Sequence, residues 1–231
     1  MRYLLWCFTF IILSAARSGK TSQDNHPPVV RIIDPINKSR HEINSHLPYH
    51  IRVSDPEDGE SEYDEIAGNE VVLEVKYVKD VSKTPTNWID PNGLSAIKQS
   101  NCFTCHAFNG KLIAPSFYDI AKRYPATAPN IDLLAKRIRE GSGGVWGSAS
   151  MPTHTELSNS EAREIADWIL KNGQDSTLNY YMGTEGTLRL KVPVGDDVKG
   201  AFILQATYSD HGSDNNQQRL SGKDIIIVYP K

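Results

Sequence analysis

The chain has 231 residues and a formal net charge of −3 at neutral pH, with 25 lysines and arginines against 28 aspartates and glutamates. This length allows one or two domains of ordinary size, each large enough to bury its own core. The nearly balanced charge argues against nucleic acid as the main partner, because proteins that bind nucleic acids present strongly basic surfaces.

The first sixteen residues have the composition of an export signal. A charged start at Arg2 leads into the apolar residues 4–13, and the small residues Ser14 and Ala16 stand at positions −3 and −1 of a cut after Ala16. This pattern predicts a secretory signal peptide over residues 1–16. We therefore expect a periplasmic or secreted mature chain without a transmembrane span. The alternative is that the segment is retained as an anchor.

The next part of the chain, residues 26–86, favours β-structure. Residues with branched β-carbons are concentrated in the segments 29–33, 49–53 and 71–78, partly in alternation with polar side chains. Such short runs predict three strands.

An acidic segment, residues 55–65, lies between the second and third of these strands. Seven of its eleven side chains are aspartate or glutamate. The EF-hand pattern, with glycine at the sixth position and glutamate at the twelfth, is absent. We interpret the segment as a solvated loop, and a calcium site or a docking surface for a basic partner are the alternatives.

The centre of the chain contains Cys102-Phe103-Thr104-Cys105-His106. A structural zinc site needs four ligands, and no second Cys pair is present and no His pair follows the motif. A thioredoxin-type redox pair needs a preceding strand and a following helix, which the flanks do not show. A disulfide across so short a loop would stabilise little. The histidine after the second cysteine favours the fourth interpretation, a haem bound by two thioethers with the imidazole as proximal iron ligand.

A haem iron used for electron transfer often has a methionine as its sixth ligand, and the mature chain offers Met151 and Met182. Met151 follows a glycine-rich segment, whose backbone can approach a flat macrocycle closely, and Pro152 stiffens the chain beside it. We predict Met151 as the distal ligand, with His154 as its rival. Met182 is assigned to a buried linker.

Four helices are predicted around this motif. Asp90-Pro91 has the residues of a helix start, Asn130 would cap a third helix that ends at Gly141, and Ser158 with Glu161 forms a capping-box pattern. The four apolar stripes are Leu94, Ile97 and the Lys98 stem; Phe117, Ile120, Ala121 and Tyr124; Ile131, Leu134, Ala135 and Ile138; and Ala162, Ile165, Ala166 and Ile169.

Residues 184–231 return to a β-pattern, with strands expected over 187–192, 201–208 and 224–229. Together the two β-rich flanks amount to about 110 residues, close to the size of an immunoglobulin-like domain. We predict a multidomain α and β protein in which an all-α domain that resembles cytochrome c, residues 90–174, is inserted into a discontinuous Ig-like β-sandwich formed by residues 26–86 and 184–231. The alternative is two separate small β-units.

Residues 90–174 resemble a class I c-type cytochrome of the small bacterial kind. The resemblance rests on the Cys-x-x-Cys-His motif, Ala114-Pro115, Leu134-Ala135-Lys136-Arg137-Ile138, Gly144-Val145-Trp146-Gly147, Met151-Pro152 and the closing helix with Trp168.

The resemblance implies roles for several of these residues. In that family the proline carbonyl accepts the second N–H of the proximal histidine, a role that Pro115 would inherit. The loop tryptophan donates to a haem propionate, so Trp146 is the candidate for this bond, with simple packing against the haem as the alternative. Trp168 would pack where the first and last helices cross, and Ala114 replaces the family's glycine. The expected site for one haem c is Cys102, Cys105, His106, Pro115, Trp146 and Met151, with His106 and Met151 as the iron ligands.

The β-rich flanks resemble PKD or other Ig-like modules of exported bacterial proteins. This resemblance rests on residues 25–30, 53–59 and 204–210, which are similar to the opening, the second-strand exit and a late strand of those modules.

The predicted function is single-electron transfer by a one-haem carrier that is not an enzyme. The expected partners are an exported dehydrogenase as donor and a cytochrome or oxidase as acceptor. One alternative is a haem-based enzyme or ligand sensor with a displaceable Met151. The other is a β-sandwich adhesion or docking module in which the haem motif is incidental.

Overall fold

The computed structural model describes residues 24–83, 88–196, 199–213 and 218–231, so the predicted signal peptide lies outside the described residues. In this part of the chain no helix has the length and hydrophobicity of a membrane span. The elements are β1 (Val29–Asp34), β2 (Arg40–His41), β3 (His46–Asp55), β4 (Gly59–Glu60), β5 (Val72–Val78), α1 (Asn92–Gln99), α2 (Phe117–Arg123), α3 (Ala128–Glu140), α4 (Asn159–Asn172), β6 (Leu178–Met182), β7 (Glu185–Arg189), β8 (Ala201–Ser209) and β9 (Ser221–Pro230).

Two β-sheets are each built from strands on both sides of the helical segment. In the first sheet β3 pairs antiparallel with β1, β4 and β7. The second sheet has the strand order β2-β9-β8-β5-β6. Because β3 pairs with β7, and β5 pairs with both β6 and β8, strands before and after the helices share hydrogen bonds in both sheets. Two separate β-units would not share these bonds.

The predicted strands are present with shifted ends. In β3 the side chains of Leu47, Tyr49, Ile51 and Val53 are buried and those between them are mostly exposed, which is the alternation expected of a strand with one face on a core. The strand predicted over 187–192 begins two residues earlier, as β7.

Three strands, β2, β4 and β6, are not predicted by the sequence pattern. The first two have only two residues each. The third contains Met182, so the assignment of this residue to a linker is wrong. Its pattern is hidden because both faces are covered: Tyr180 packs into the helical core, whereas Tyr181 packs against the core between the sheets.

Two hydrophobic cores share the five-stranded sheet. One lies between the two sheets and includes Leu73, Val75 and Tyr77 of β5. The other lies between the sheet and the four helices, and includes Val72 and Leu178 besides the helical side chains. All nine residues of β8 are buried, because this strand is covered on both faces.

Two of the predicted helix caps are wrong. α1 begins after Pro91 without a side-chain cap, because the Asp90 carboxylate accepts a hydrogen bond from Lys98 Nζ instead. Asn130 lies inside α3, whose N-cap is Thr127. The capping box predicted at the start of α4 is confirmed.

The acidic segment is only partly solvated. Asp55 is 3% exposed, and its Oδ1 accepts the backbone N–H groups of Glu57 and Asp58. Asp58 in turn accepts a hydrogen bond of 2.7 Å from the Tyr208 hydroxyl. The prediction of a solvated loop is therefore wrong for Asp55 and Asp58, whose carboxylates fix a turn and tie it to β8. Over the described ranges, no three or more His, Cys, Asp or Glu side chains are grouped so as to hold a metal ion.

Helices α1 and α4 approach most closely at Gly93. A Cβ atom added at Gly93 would lie 2.2 Å from the Glu164 carbonyl oxygen and 2.8 Å from Trp168 Cβ. The expectation that Trp168 packs at the crossing of the first and last helices is thus confirmed.

We expect Gly93→Ala to lower the free energy of unfolding by about 1–3 kcal/mol, because the added methyl group overpacks this crossing. The measurement is the urea midpoint, followed by circular dichroism. Gly68→Ala is the matched control, since a Cβ at Gly68 meets no atom closer than 3.7 Å. Equal midpoints for the two variants would contradict the prediction.

A buried ion-pair network joins α1 to the five-stranded sheet. The Lys98 side chain is 2% exposed, and its Nζ lies 3.4 Å from Glu74 Oε2 and 2.8 Å from Asp90 Oδ2. Gln205 of β8 also donates to Asp90. Burial raises the pKa of Glu74 above its usual value, and the nearby Lys98 ammonium opposes this rise.

We expect Lys98→Met to lower the free energy of unfolding by about 3–5 kcal/mol near neutral pH, because the buried Glu74 carboxylate loses the ammonium group that balances its charge. The pKa of Glu74 would then rise further, so the folded state would bind a proton that the unfolded state releases. The stability of the variant would therefore fall as pH rises above 4.5, the usual pKa of glutamate.

The measurement is urea unfolding of Lys98→Met at about pH 5 and about pH 7. The double variant Lys98→Met/Glu74→Gln should recover much of the stability and lose the added pH dependence. A single variant as stable as the wild type at both pH values would show that the network contributes little.

Candidate functional site

The helices enclose a cavity of about 490 Å³. Cavities that hold cofactors and small ligands are commonly about 300–1,000 Å³ and mostly apolar. The structure brings all six residues of the predicted site to the wall of this single cavity: Cys102, Cys105, His106, Pro115, Trp146 and Met151.

The Cys-x-x-Cys-His motif folds into one compact turn. A short 3₁₀ helix, Cys102–Thr104, is followed by hydrogen bonds from the N–H groups of Cys105 and His106 to the Cys102 carbonyl, at 3.2 and 3.0 Å. Both cysteines are free thiols. Burial raises the pKa of Cys102 to about 12, so its sulfur is held as a thiol rather than a thiolate.

The imidazole of His106 is held from two directions. Its Nδ1 donates to the Pro115 carbonyl at 2.7 Å, which leaves Nε2 available as a ligand. The ring stacks on Phe117 with centroids 5.7 Å apart and planes at 25°. Burial lowers the pKa of His106, the bond to Pro115 raises it, and nearby His154 lowers it, with a net decrease. The neutral imidazole that a metal requires is therefore favoured.

Met151 closes a loop at the cavity. Its N–H donates to the Ser142 carbonyl at 2.7 Å, and the Ser142 N–H donates back to the Met151 carbonyl at 3.2 Å. The preceding Gly141 has a φ of +80°, and a Cβ there would lie 2.9 Å from the Met151 oxygen. Glycine is thus required for the loop to close.

The predicted rival, His154, also lies on the cavity wall. Its side chain is 21% exposed, and Nδ1 is 2.8 Å from Glu156 Oε1. Met151, by contrast, packs against the helical core.

Trp146 lies at the cavity wall and is 37% exposed. The Arg123 guanidinium stands 4.6 Å from the centre of its ring and donates to the Val145 carbonyl. The Tyr124 ring meets it edge-on, with centroids 6.5 Å apart. These contacts tie the glycine-rich loop to the end of α2.

The turn before α2 accommodates Ala114, which replaces the glycine expected from the resemblance. Its N–H donates to the Cys105 carbonyl at 3.0 Å, and its φ is not positive. Alanine therefore fits this turn without backbone strain.

Three charged wall residues, Lys111, Asp119 and Arg137, are not predicted from the sequence as part of the site. Arg137 is the one that lies on α3. It donates to the Tyr124 hydroxyl at 2.9 Å and is suited to pair with an anionic group of a ligand. Its spacing of three residues from Leu134, on the apolar stripe of α3, is the signal that places it on the cavity side.

The cavity wall also includes apolar side chains. Those on helices are predicted as core residues, but their position at the cavity is not predicted. Those in loops are not predicted as either. The lining includes Ile113, Leu134, Ile138, Leu157, Ile165 and Ile169.

Comparison with known proteins finds similarity over this part of the chain. The family model described as cytochrome c matches residues 92–173. Cytochrome c-552 of Hydrogenobacter thermophilus is 40% identical over 73 residues, which are 32% of this chain and 74% of that protein. Cytochrome c-551 of Pseudomonas aeruginosa is 38% identical over 81 residues, or 35% of this chain and 75% of that protein.

Among solved structures, wild-type cytochrome c552 of Nitrosomonas europaea is 37% identical and covers 34% of this chain and 96% of that one, with a TM-score of 0.32. The assignment rests on the sequence identity and on the coverage of the relatives. Through this segment the chain belongs to the cytochrome c family, whose members bind one covalently attached haem c.

Proposed function

We propose that the protein is an exported monohaem electron carrier, with the haem bound through Cys102 and Cys105 and its iron held by His106 and Met151. The observation that supports this most directly is that two free thiols, an imidazole and a thioether side chain line one cavity. The relatives that this segment resembles are named cytochrome c-552, cytochrome c-551 and cytochrome c2.

The residues of the cavity fit a haem. Two thiols three positions apart suit thioether bonds to the vinyl groups, and the imidazole has one nitrogen committed to Pro115 and one free. The apolar wall would exclude water from a bound haem, and the N–H groups of Arg137 and Trp146 would be available to its propionates. When bound, the haem supplies a one-electron Fe(II)/Fe(III) couple.

The chain's part in electron transfer is to keep both ligands in place. The bond to Pro115 and the Phe117 ring fix His106, while the paired hydrogen bonds between Ser142 and Met151 fix the loop that carries the sulfur. Little has to move when an electron arrives or leaves. A methionine ligand and burial both favour a higher reduction potential.

The cellular setting follows from the predicted signal peptide and from the haem chemistry. We place the mature protein in the periplasm or outside the cell, where it would accept electrons from an exported dehydrogenase and pass them to a cytochrome or oxidase. The β-strand flanks, which we propose form a PKD-like or other Ig-like module, would dock or space the haem domain.

We also propose that residues 90–174 form a cytochrome domain inserted into one β-sandwich made by residues 26–86 and 184–231. The two ends of the insertion meet, because β5 and β6 are antiparallel neighbours in which Lys76 faces Leu178. The N–H of Tyr77 also donates to the Thr177 carbonyl at 2.9 Å. The helical domain thus occupies the position of a hairpin loop, where insertions are tolerated.

Haem content tests the function. Protein matured with its export signal should give the pyridine haemochrome of one c-type haem per chain, and acidified organic solvent should not extract the pigment. Colourless protein, or pigment that is extracted, would overturn the proposal.

Met151→Ala tests the distal ligand. We expect the weak red absorption band of the ferric protein to vanish and the oxidised-to-reduced ratio at fixed ambient potential to rise at least tenfold, which is about 59 mV for a one-electron couple. Met182→Ala is the control, because Met182 lies in β6 and is not part of the cavity wall. A wild-type protein without the red band would favour a haem-based enzyme or sensor with an open iron site.

The proposed domain organisation is tested by cutting the chain at an engineered protease site within residues 84–89. We expect the two pieces to stay together in size-exclusion chromatography without denaturant, because β3 and β5 pair with strands from the second half. Dissociation of the N-terminal piece would show that the discontinuous sandwich is wrong.

A further inference from the structure

The helical core is completed by a residue from the β-sandwich. Tyr180 of β6 lies outside residues 92–173, the segment that matches the cytochrome c family. It is 8% exposed and stacks on Phe103, with ring centroids 4.7 Å apart and planes at 19°. Its ring also contacts Phe108 and Trp168, at centroid distances of 5.1 and 6.0 Å.

This contact leads directly to the haem-attachment motif. Phe103 stands between Cys102 and Cys105 and is 2% exposed. Its ring packs on Phe117 at 5.3 Å, and Phe117 stacks on the imidazole of His106 at 5.7 Å. A continuous series of aromatic rings therefore runs from β6 to the proposed proximal ligand.

The position of Tyr180 is set by the sheet rather than by the helices. It faces Glu74 in the antiparallel pairing of β6 with β5, and Glu74 also takes part in the buried network with Lys98. The series of rings thus begins at a backbone that is held by strand pairing.

We infer that Tyr180 is a positioning residue that holds the proximal histidine in place through the Phe103 and Phe117 rings. The inference rests on the proposed function, in which His106 is an iron ligand. It extends the haem site beyond the cytochrome segment, because the β-sandwich then helps to set the reduction potential.

The aromatic ring, and not the hydroxyl group, carries this role. The buried hydroxyl of Tyr180 makes no hydrogen bond of normal geometry, although burial and the nearby Glu74 carboxylate together raise its pKa well above the usual value. The ring, in contrast, fills the space behind the Cys-x-x-Cys-His turn. Its removal would leave a cavity bordered by Phe103 and by the buried Glu74 carboxylate, so the turn could move and water could enter beside the carboxylate. Water near the haem favours the more highly charged ferric state and lowers the potential.

The test compares three variants of the full-length holoprotein. We expect Tyr180→Ala to raise the oxidised-to-reduced ratio at fixed ambient potential at least threefold, which corresponds to about 28 mV for a one-electron couple. The hyperfine-shifted proton resonances of the haem methyl groups should also move, since they report the orientation of the axial imidazole. Tyr180→Phe should match the wild type in both measurements.

Tyr77→Ala is the matched control. Tyr77 is 2% exposed on the neighbouring strand β5, but it packs on Phe202 in the core between the two sheets. We expect this variant to lose stability without a change in potential or in the haem resonances.

An unchanged potential and spectrum in Tyr180→Ala would overturn the inference, as would a Tyr180→Phe protein that behaves like Tyr180→Ala. A shift of the same size in Tyr77→Ala would reduce the effect to general destabilisation and would also overturn it. If Tyr180→Ala fails to mature, Tyr180→Leu keeps an apolar side chain without the stacked ring and is judged by the same criteria. A wild-type protein without covalent haem would refute the proposed function itself, and the two failures are therefore distinguishable.

Discussion

As the proposed iron ligand, His106 would have to keep its imidazole in one orientation, and the contact made by its other nitrogen would set its basicity. The structure meets this constraint with the Pro115 carbonyl at 2.7 Å and the Phe117 ring at 5.7 Å. Both contacts come from one short segment at the start of α2. That segment is held in turn by the side chains packed around it, including Phe103, whose ring contacts Phe117.

The five-stranded sheet joins the four helices to the other β-sheet. Its strand β8 is buried on both faces, so the sheet belongs at once to the core between the two sheets and to the core that it forms with the helices. The buried Lys98 ties α1 to Glu74 on the same sheet. A buried ion pair adds little net stability compared with apolar packing, but it is costly to break and it fixes which groups face one another. In this chain it fixes α1 against β5.

The sequence predicts best what depends on local geometry. The Cys-x-x-Cys-His spacing, the glycine before the closing loop and the capping box of α4 each involve residues close together in the chain. Their structural consequences follow from backbone chemistry alone. The same reasoning fails at Asp90, which has the identity of a helix cap but is recruited by Lys98 and Gln205 from other elements. Tertiary contacts of this kind leave no periodic signal in the sequence.

Tyr180 shows the same limit at the site itself. Strand β6 has no alternation of buried and exposed residues because its two faces meet different cores, and so neither the strand nor its contact with Phe103 is apparent from the pattern. Arg137 is a milder case, since its spacing from Leu134 does place it on the inner face of α3. Sequence reasoning thus finds the residues proposed to bind the haem more readily than those proposed to support them.

The hairpin position of the helical domain has a mechanical consequence. β5 and β6 lead into and out of this domain, and they also carry Glu74 and Tyr180, which face one another across the strand pair. Any displacement of β6 relative to β5 would therefore act on Lys98 and on the Phe103 ring together. Because packed cores resist continuous deformation, the sheet holds both contacts in a single arrangement. If the proposed haem site is right, the two β-sheets are in this way a structural part of that site as well as neighbours of it.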